Sequence, residues 1–386
     1  MRKFSYGALV ALAAVTACGG GENDMKPAQA PAPPVSVNSA QQTPPPVDTM
    51  PPPAAEAPKP SMTDMQASAM KTMMDGMNAH DADKATSVYT DDAVVMMAGM
   101  PNAQGKDALK DRMKALWVGF PDMKMAVGRT WQKNDVLVWE YGWTGTQTGE
   151  FMGMKPTKKP VGVMAVSVHW FTPEGKIKET HRYVDMGSLG MQLGMPKAKG
   201  RAMVGLPTTT ETHVAKGTGD EDKNVDAIKA SSAAVEKKDA KAFLDSMTDD
   251  STYDANVMPK PMQGKKSAEA WFKSFTHAFP DLKSTSTNMW GVEDYVINEY
   301  VMTGTQKGAL SGPAGTIPAT GKPVTLHGVE IFQLKDGKMV HGWGYENGAE
   351  FAMQLGLMKP PGQPKADASA KGGASSPAPA PAPTKK

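Results

Sequence analysis

The chain of 386 residues holds one cysteine, Cys18. Disulfides within the chain and thiolate metal clusters are therefore excluded. Charge of one sign is missing too, since 42 Lys and Arg stand against 40 Asp and Glu. Arg2 and Lys3 make up the whole excess, so the chain after residue 17 is balanced. That leaves no basic footprint for nucleic acid. Beyond residue 20 no apolar run is long enough to span a bilayer. The seven histidines include no His-x-His or His-x-x-x-His pair. A metal site is therefore not expected, and neither is any other cofactor.

Proline (32) and glycine (38) are abundant, and the prolines crowd towards the two ends. Arg2 and Lys3 form a positive start, Gly7 to Val15 a short apolar stretch, and Val15-Thr16-Ala17-Cys18 a lipobox-like close. This resembles a bacterial lipoprotein signal. The resemblance implies cleavage after residue 17, lipidation of Cys18, and a place in the cell envelope, at the outer membrane or its periplasmic face. The competing reading is a buried N-terminal helix with a chance cysteine. Residues 18–60 are mostly Pro, Ala, Gln, Ser and Thr and read as an extended linker. Some 40 residues at about 3.1 Å each would reach roughly 130 Å from the membrane. The Pro/Ala/Lys tail, 359–386, has the same character.

The middle of the chain is duplicated. Thr90-Asp91-Asp92 returns as Thr248-Asp249-Asp250, Gly105-Lys106 as Gly264-Lys265, and Phe120-Pro121-Asp122 as Phe279-Pro280-Asp281. Thr144-Gly145-Thr146-Gln147 returns as Thr303-Gly304-Thr305-Gln306, and Gln192-Leu193-Gly194 as Gln354-Leu355-Gly356. A period near 160 marks two tandem domains, 61–196 and 222–358, joined by a polar linker, 197–221. Each copy opens with amphipathic helices, as in Met65, Ala69, Met73 and Met77. A short second helix and a third follow, the third carrying Trp117 or Trp271. Strands close each copy: Asp135–Thr146, Val161–Phe171 and a last strand in the first, with Asp294–Thr305 and Val324–Leu334 in the second. Helices followed by antiparallel strands predict an α+β domain, with the helices on one face of a curved sheet.

The order Gly-Thr-x-x-Gly, Gly-Lys-Pro-Val, Asp/Glu-Gly-Lys and Gln-Leu-Gly resembles the SnoaL-like polyketide cyclases of the nuclear-transport-factor-2-like superfamily. The most specific tokens are Asp336-Gly337-Lys338-Met339 with Trp343 and Tyr345, and Asp185 with Gln192-Leu193-Gly194. The resemblance implies two tandem cone-shaped domains, each with a pocket. It also implies metal-independent aldol closure by an acid/base aspartate. Two departures stand out. Gln147 and Gln306 replace a histidine common in the family, and an amide exchanges no proton near neutral pH. The closing aspartate is Asp185 in the first copy but Asn347 in the second, and asparagine is no general base.

Period two on the last strand places Ile177, Glu179, His181, Tyr183 and Asp185 on one face, and Met339, His341, Trp343, Tyr345 and Asn347 on its counterpart. We aim both faces at the pockets, because buried carboxylate, imidazole and phenol need a wet site. Lys178, Thr180 and Arg182 are assigned to solvent. Asp185 is then the candidate acid/base, with His181 assisting. Tyr183, Glu179, Trp143, Gln147, His169, His341, Trp343, Tyr345, Asn347, Gln306 and His327 are candidate substrate contacts. Each has a plainer role beside it: Asp185 and Asn347 as helix caps, His181 as a half-exposed histidine, and Trp139, Tyr141 and Trp143 as core. The 30 methionines suit a pliable apolar lining, or Cu(I) and oxidant chemistry outside the cytoplasm. Three functions follow: a lipid-anchored cyclase or isomerase with its site in the first copy, a non-catalytic binder of a small apolar or aromatic ligand, or a copper or oxidant buffer. If the two copies pair through their sheets, the chain is an internal pseudo-dimer.

Overall fold

A computed structural model of the chain describes residues 59–195, 200–312 and 315–358. The signal-like segment, Cys18, nearly all of the 18–60 linker and the 359–386 tail lie outside the described residues. No described helix is long and apolar enough to cross a membrane.

The first repeat runs α1 (Met62–Ala79), α2 (Ala82–Thr86), β1 (Tyr89–Met97), β2 (Met100–Gln104), α3 (Gly105–Gly119), β3 (Lys124–Lys133), β4 (Val136–Thr146), β5 (Pro160–Phe171), β6 (Ile177–Val184) and α4 (Met186–Leu193). A connecting strand, β7 (Glu211–Val214), follows. The second repeat runs α5 (Gly219–Glu236), α6 (Ala240–Asp245), β8 (Met247–Ala255), β9 (Met262–Gln263), α7 (Gly264–Ala278), β10 (Lys283–Val292), β11 (Tyr295–Thr305), β12 (Leu310–Gly312), β13 (Gly315–Ile317), β14 (Pro323–Lys335), β15 (Lys338–Glu346) and α8 (Gly348–Gln354). These are two tandem α+β domains. Their sheets have the orders β2-β1-β6-β5-β4-β3-β7 and β10-β11-β14-β15-β8-β9.

The repeated tokens hold the frame. Gly105 and Gly264 open α3 and α7 at φ +80 and +69, where L side chains are strained. The neighbouring lysines reach back to the Thr-Asp-Asp segment, Lys106 to Asp91 and Lys265 to Asp249, each at 2.8 Å. In the Phe-Pro-Asp tokens, Asp122 Oδ1 accepts the Thr146 N–H at 2.6 Å and Asp281 Oδ1 the Thr305 N–H at 2.8 Å. Both phenylalanines, Phe120 and Phe279, are fully buried.

Two elements depart from the sequence reading. β1 and β8 were not anticipated, and the second helices are shorter than predicted. Both strands pair parallel with the last strand of their repeat, β1 with β6 and β8 with β15. That partner is remote in sequence, and the exposed Asp91-Asp92 start of β1 hides the alternation that follows. The segment assigned as linker also contributes β7, which lies parallel to β3 and extends the first sheet.

Each sheet has an inner face under its own helices and an outer face. In the first repeat Leu137, Trp139, Tyr141 and Trp143 point inward against Met73, Met77 and Met113. The outer faces of the two sheets form one common core. Val136, Val138, Val166 and Val168 pack there with Ile297, Val329 and Ile331, all nearly inaccessible. Because this core belongs to both repeats, removing part of it should weaken both. Ile331→Ala is expected to cost about 2–5 kcal/mol. Chemical denaturation followed by tryptophans of both repeats should still give one transition, at lower denaturant.

Candidate functional site

The structure turns over the face assignment of the last strand. A register irregularity between Trp170 and Phe171 leaves Ile177 pointing inward, while Glu179, His181 and Tyr183 face the second repeat. Thr180 and Arg182, read as solvent-facing with Lys178, belong together with Val184 to the inner face.

The outward residues grip a buried carboxylate. Glu299 on β11 accepts from Tyr183 Oη at 2.6 Å, from Asn288 Nδ2 at 2.6 Å, and pairs with His181 Nδ1 at 2.5 Å. His181 Nε2 meets Glu179 at 2.9 Å. The position in the first repeat that matches Glu299 is Glu140. It is bound by Arg129, whose guanidinium lies 3.8 Å over the Trp343 ring, and Tyr345 lies beside it. Burial pulls the His181 pKa down, but the hydrogen bond and charge of Glu299 outweigh this and raise it above the ordinary value. Burial likewise raises Glu299, and the bonds from His181 and Tyr183 more than reverse it.

Asp185 is the N-cap of α4, and Asn347 that of α8. Each also caps across the repeats. Asp185 accepts from Gly187, Ser188 and Gly348 N–H groups, all at 2.9 Å. Asn347 Oδ1 accepts from Ala349 and Met186 N–H groups, both at 3.2 Å, and its amide donates to Ala98 O at 2.8 Å. The Asp185 carboxylate spends its oxygens on backbone donors, so it sits in a capping role rather than on the floor of a cup.

The other candidates scatter. Gln147 is buried and staples its own loop, accepting from Thr157 N and Oγ1 and donating to Gly149, Met154 and Lys155 carbonyls. Gln306 does the same with Thr320, Gly308 and Pro318. Trp143 is core, edge-on to Phe120. His341 bonds Thr252 at 2.8 Å, and His327 lies 3.5 Å from Glu350. Of the polar candidate contacts on the strands, only His169 lies on an inner face. No cluster of three His, Cys, Asp or Glu suited to a metal occurs among the described residues. Two surface cavities, of about 280 and 660 Å³, lie outside the cups, beside Gln132 and Val214 and beside Asp250 and His341.

The inner faces carry the polar chemistry, and they differ. In the first repeat the register sets Trp139, Ser167 and Arg182 in one row across β4, β5 and β6, with His169 and Thr180 in the next. His169 is fully buried, bonds Thr180 Oγ1 at 2.8 Å and meets the Trp139 ring edge-on. Burial, with Arg182 nearby, holds its pKa well below the ordinary value, so the imidazole is neutral. In the second repeat the same row reads Asn298, Glu330 and Gly344. Glu330 accepts from Tyr253 Oη at 2.8 Å and from Asn298 Nδ2 at 3.4 Å. Glu346, half-buried, accepts from Tyr300 Oη. Glycine makes this possible: a Cβ at Gly344 or Gly328 would lie 2.5 Å from the Tyr253 hydroxyl or 2.6 Å from the Tyr300 hydroxyl. Burial pushes the Glu330 carboxyl up to about 7, with the Glu346 charge adding to it. Sequence reasoning missed Glu330, though the signal was there: a lone carboxylate inside Val329-Glu330-Ile331-Phe332.

Two outcomes follow for the clamp and the caps. His181 stabilises the folded state below about pH 6.5 and loses that contribution as pH rises through its raised folded pKa. Glu299 contributes above about pH 4.5 and loses it on acidification. Folding stability should therefore peak between these limits, and His181→Gln should flatten the alkaline side of the curve measured by urea titration. Asp185→Ala should cost about 1–2 kcal/mol through lost capping, seen as a lower melting temperature by calorimetry.

The profile of the SnoaL-like polyketide cyclases matches residues 67–193 and 225–355. Among solved structures, AclR of Streptomyces galilaeus, described as a hydroxylase candidate, is 25% identical. The match covers 35% of this chain and 83% of that one, at a TM-score of 0.32. The polyketide cyclase candidate IdmH of Streptomyces antibioticus is 22% identical, over 33% and 98%, at 0.31. TsrD of Streptomyces laurentii is 18% identical, over 36% and 98%, at 0.32. No curated protein matches the chain. With both repeats matched over more than half of its length, the chain belongs to the SnoaL-like polyketide cyclase family.

Proposed function

We propose that this chain is a cyclase- or isomerase-like protein held at the cell envelope by lipid on Cys18, with its proton-transfer site in the second repeat. The observation that carries this reading is Glu330, a half-buried carboxyl on the inner sheet face, bonded by Tyr253 and Asn298, with its pKa pushed up to about 7. Such a group is half ionised near neutrality, which suits a general acid/base. As carboxylate it takes a proton from carbon next to a carbonyl. As acid it returns the proton after the new bond or double bond has formed. Burial raises the pKa of Tyr253 and Tyr300 well above the ordinary value, so both remain protonated. Their single O–H donors hold the two carboxyls, Tyr253 on Glu330 and Tyr300 on Glu346. The role given to Asp185 by sequence passes to Glu330, because the Asp185 oxygens are committed to three backbone N–H groups. The two repeats serve as an internal pseudo-dimer, and the ligand is a small carbonyl compound.

2-Tetralone is a suitable probe, because hydrogen–deuterium exchange next to its carbonyl is read directly by NMR. The full chain should accelerate exchange, with a rate that rises through an inflection near pH 7. Glu330→Gln should lower that rate by about 10²–10⁴ and abolish the inflection, while the melting temperature holds. No acceleration by the parent, or an unchanged rate in Glu330→Gln, defeats the reading.

A further inference from the structure

The chain has four arginines among its described residues. Two are neutralised, Arg129 by Glu140 and Arg201 by Asp254. The other two, Arg112 on α3 and Arg182 on β6, have no carboxylate at ion-pair distance among the described residues. They lie close enough to repel, and the charge of Arg182, together with burial, lowers the Arg112 pKa. Like charges placed together at a half-buried position without an acid are costly.

The ground beneath them is unfinished in the same sense. Arg182 Nε and Arg112 Nη1 are buried without a hydrogen-bond partner. So are Ser167 Oγ, His169 Nε2 and Trp139 Nε1, although Ser167, His169 and Trp139 are at most 2% exposed. Buried polar atoms almost always have partners, and each one left alone costs about 1–3 kcal/mol. Trp139, Ser167 and Arg182 share a row across three adjacent strands, with His169 beside them. The unpartnered groups include three N–H donors fixed by their chemistry, two of them cationic. The cover over this floor is thioether: Met73 Sδ lies 3.8 Å from the Tyr89 hydroxyl on the same inner face. Methionine is unbranched and repacks easily.

We propose that the cup of the first repeat is a binding site for a small organic anion, an aromatic or unsaturated carboxylate. Its charge meets Arg112 and Arg182, and its remaining acceptors meet Trp139 and Ser167. The methionine-rich α1 acts as the part of the wall that yields. This site is separate from Glu330 in the second cup and does not depend on catalysis there.

Benzoate and benzamide, equal in shape and different in charge, test it by calorimetric titration of the full chain. Benzoate should bind one per chain at least tenfold more tightly than benzamide, and more weakly as salt rises. Arg182→Gln and Arg112→Gln should each weaken benzoate fivefold or more and leave benzamide unchanged. Both variants should melt at or above the parent temperature, because a repulsion is removed. If either variant unfolds, Arg182→Lys is read instead and must keep the preference for benzoate. Glu330→Gln should bind benzoate like the parent, which separates this site from the proton-transfer reading. Absent benzoate binding, equal affinity for both compounds, or benzoate binding unchanged by Arg182→Gln overturns the proposal.

Discussion

The structure rests on the burial of two sheets against each other, back to back. Outer faces rich in valine and isoleucine make one core out of two domains. A carboxylate near the middle of that core would be prohibitive alone. There are two, Glu140 and Glu299, each bonded by a residue of its own repeat and approached by a tyrosine of the other, with His181 of the first repeat also on Glu299. The arrangement follows the pseudo-twofold of the duplication. Its chemistry has drifted: Arg129 serves on one side, Asn288 with His181 on the other. Polar groups of this kind add little net stability, but they penalise any slippage of one sheet along the other.

With the outer faces committed to each other, the inner faces are free to diverge. They have done so in charge. The row that reads Trp139, Ser167, Arg182 in the first cup reads Asn298, Glu330, Gly344 in the second. One floor offers donors and positive charge, the other carboxyl groups held by phenols. A fused pair can hold two such floors in one molecule, whereas identical subunits cannot.

Much of the frame was legible in the sequence, because the duplicated tokens are frame residues. Gly105 and Gly264 need left-handed backbone, Asp122 and Asp281 tie a loop, and Gln147 and Gln306 staple one. Residues shared by two diverged copies report what both must keep, and that is the fold. The site was less legible for the same reason. Period-two reasoning on β6 failed at a single register irregularity near Phe171, and that was enough to exchange the two faces. β1 and β8 escaped because their partners lie some 90 residues away and pair in parallel. Glu330 was legible in principle, as a lone acid in an apolar strand, but the first copy has Ser167 in its place, so no shared token marks it.

The crossed caps carry a consequence for the history of the chain. The start of α4 is tied by Asn347, and the start of α8 by Asp185. Each C-terminal helix keeps its own cap and takes one further bond from the other copy. A gene fragment encoding one copy would exchange that bond at Met186 or Gly348 for one to water. Parting the two copies thus costs each helix start one protein acceptor, and every such tie favours keeping the pair together.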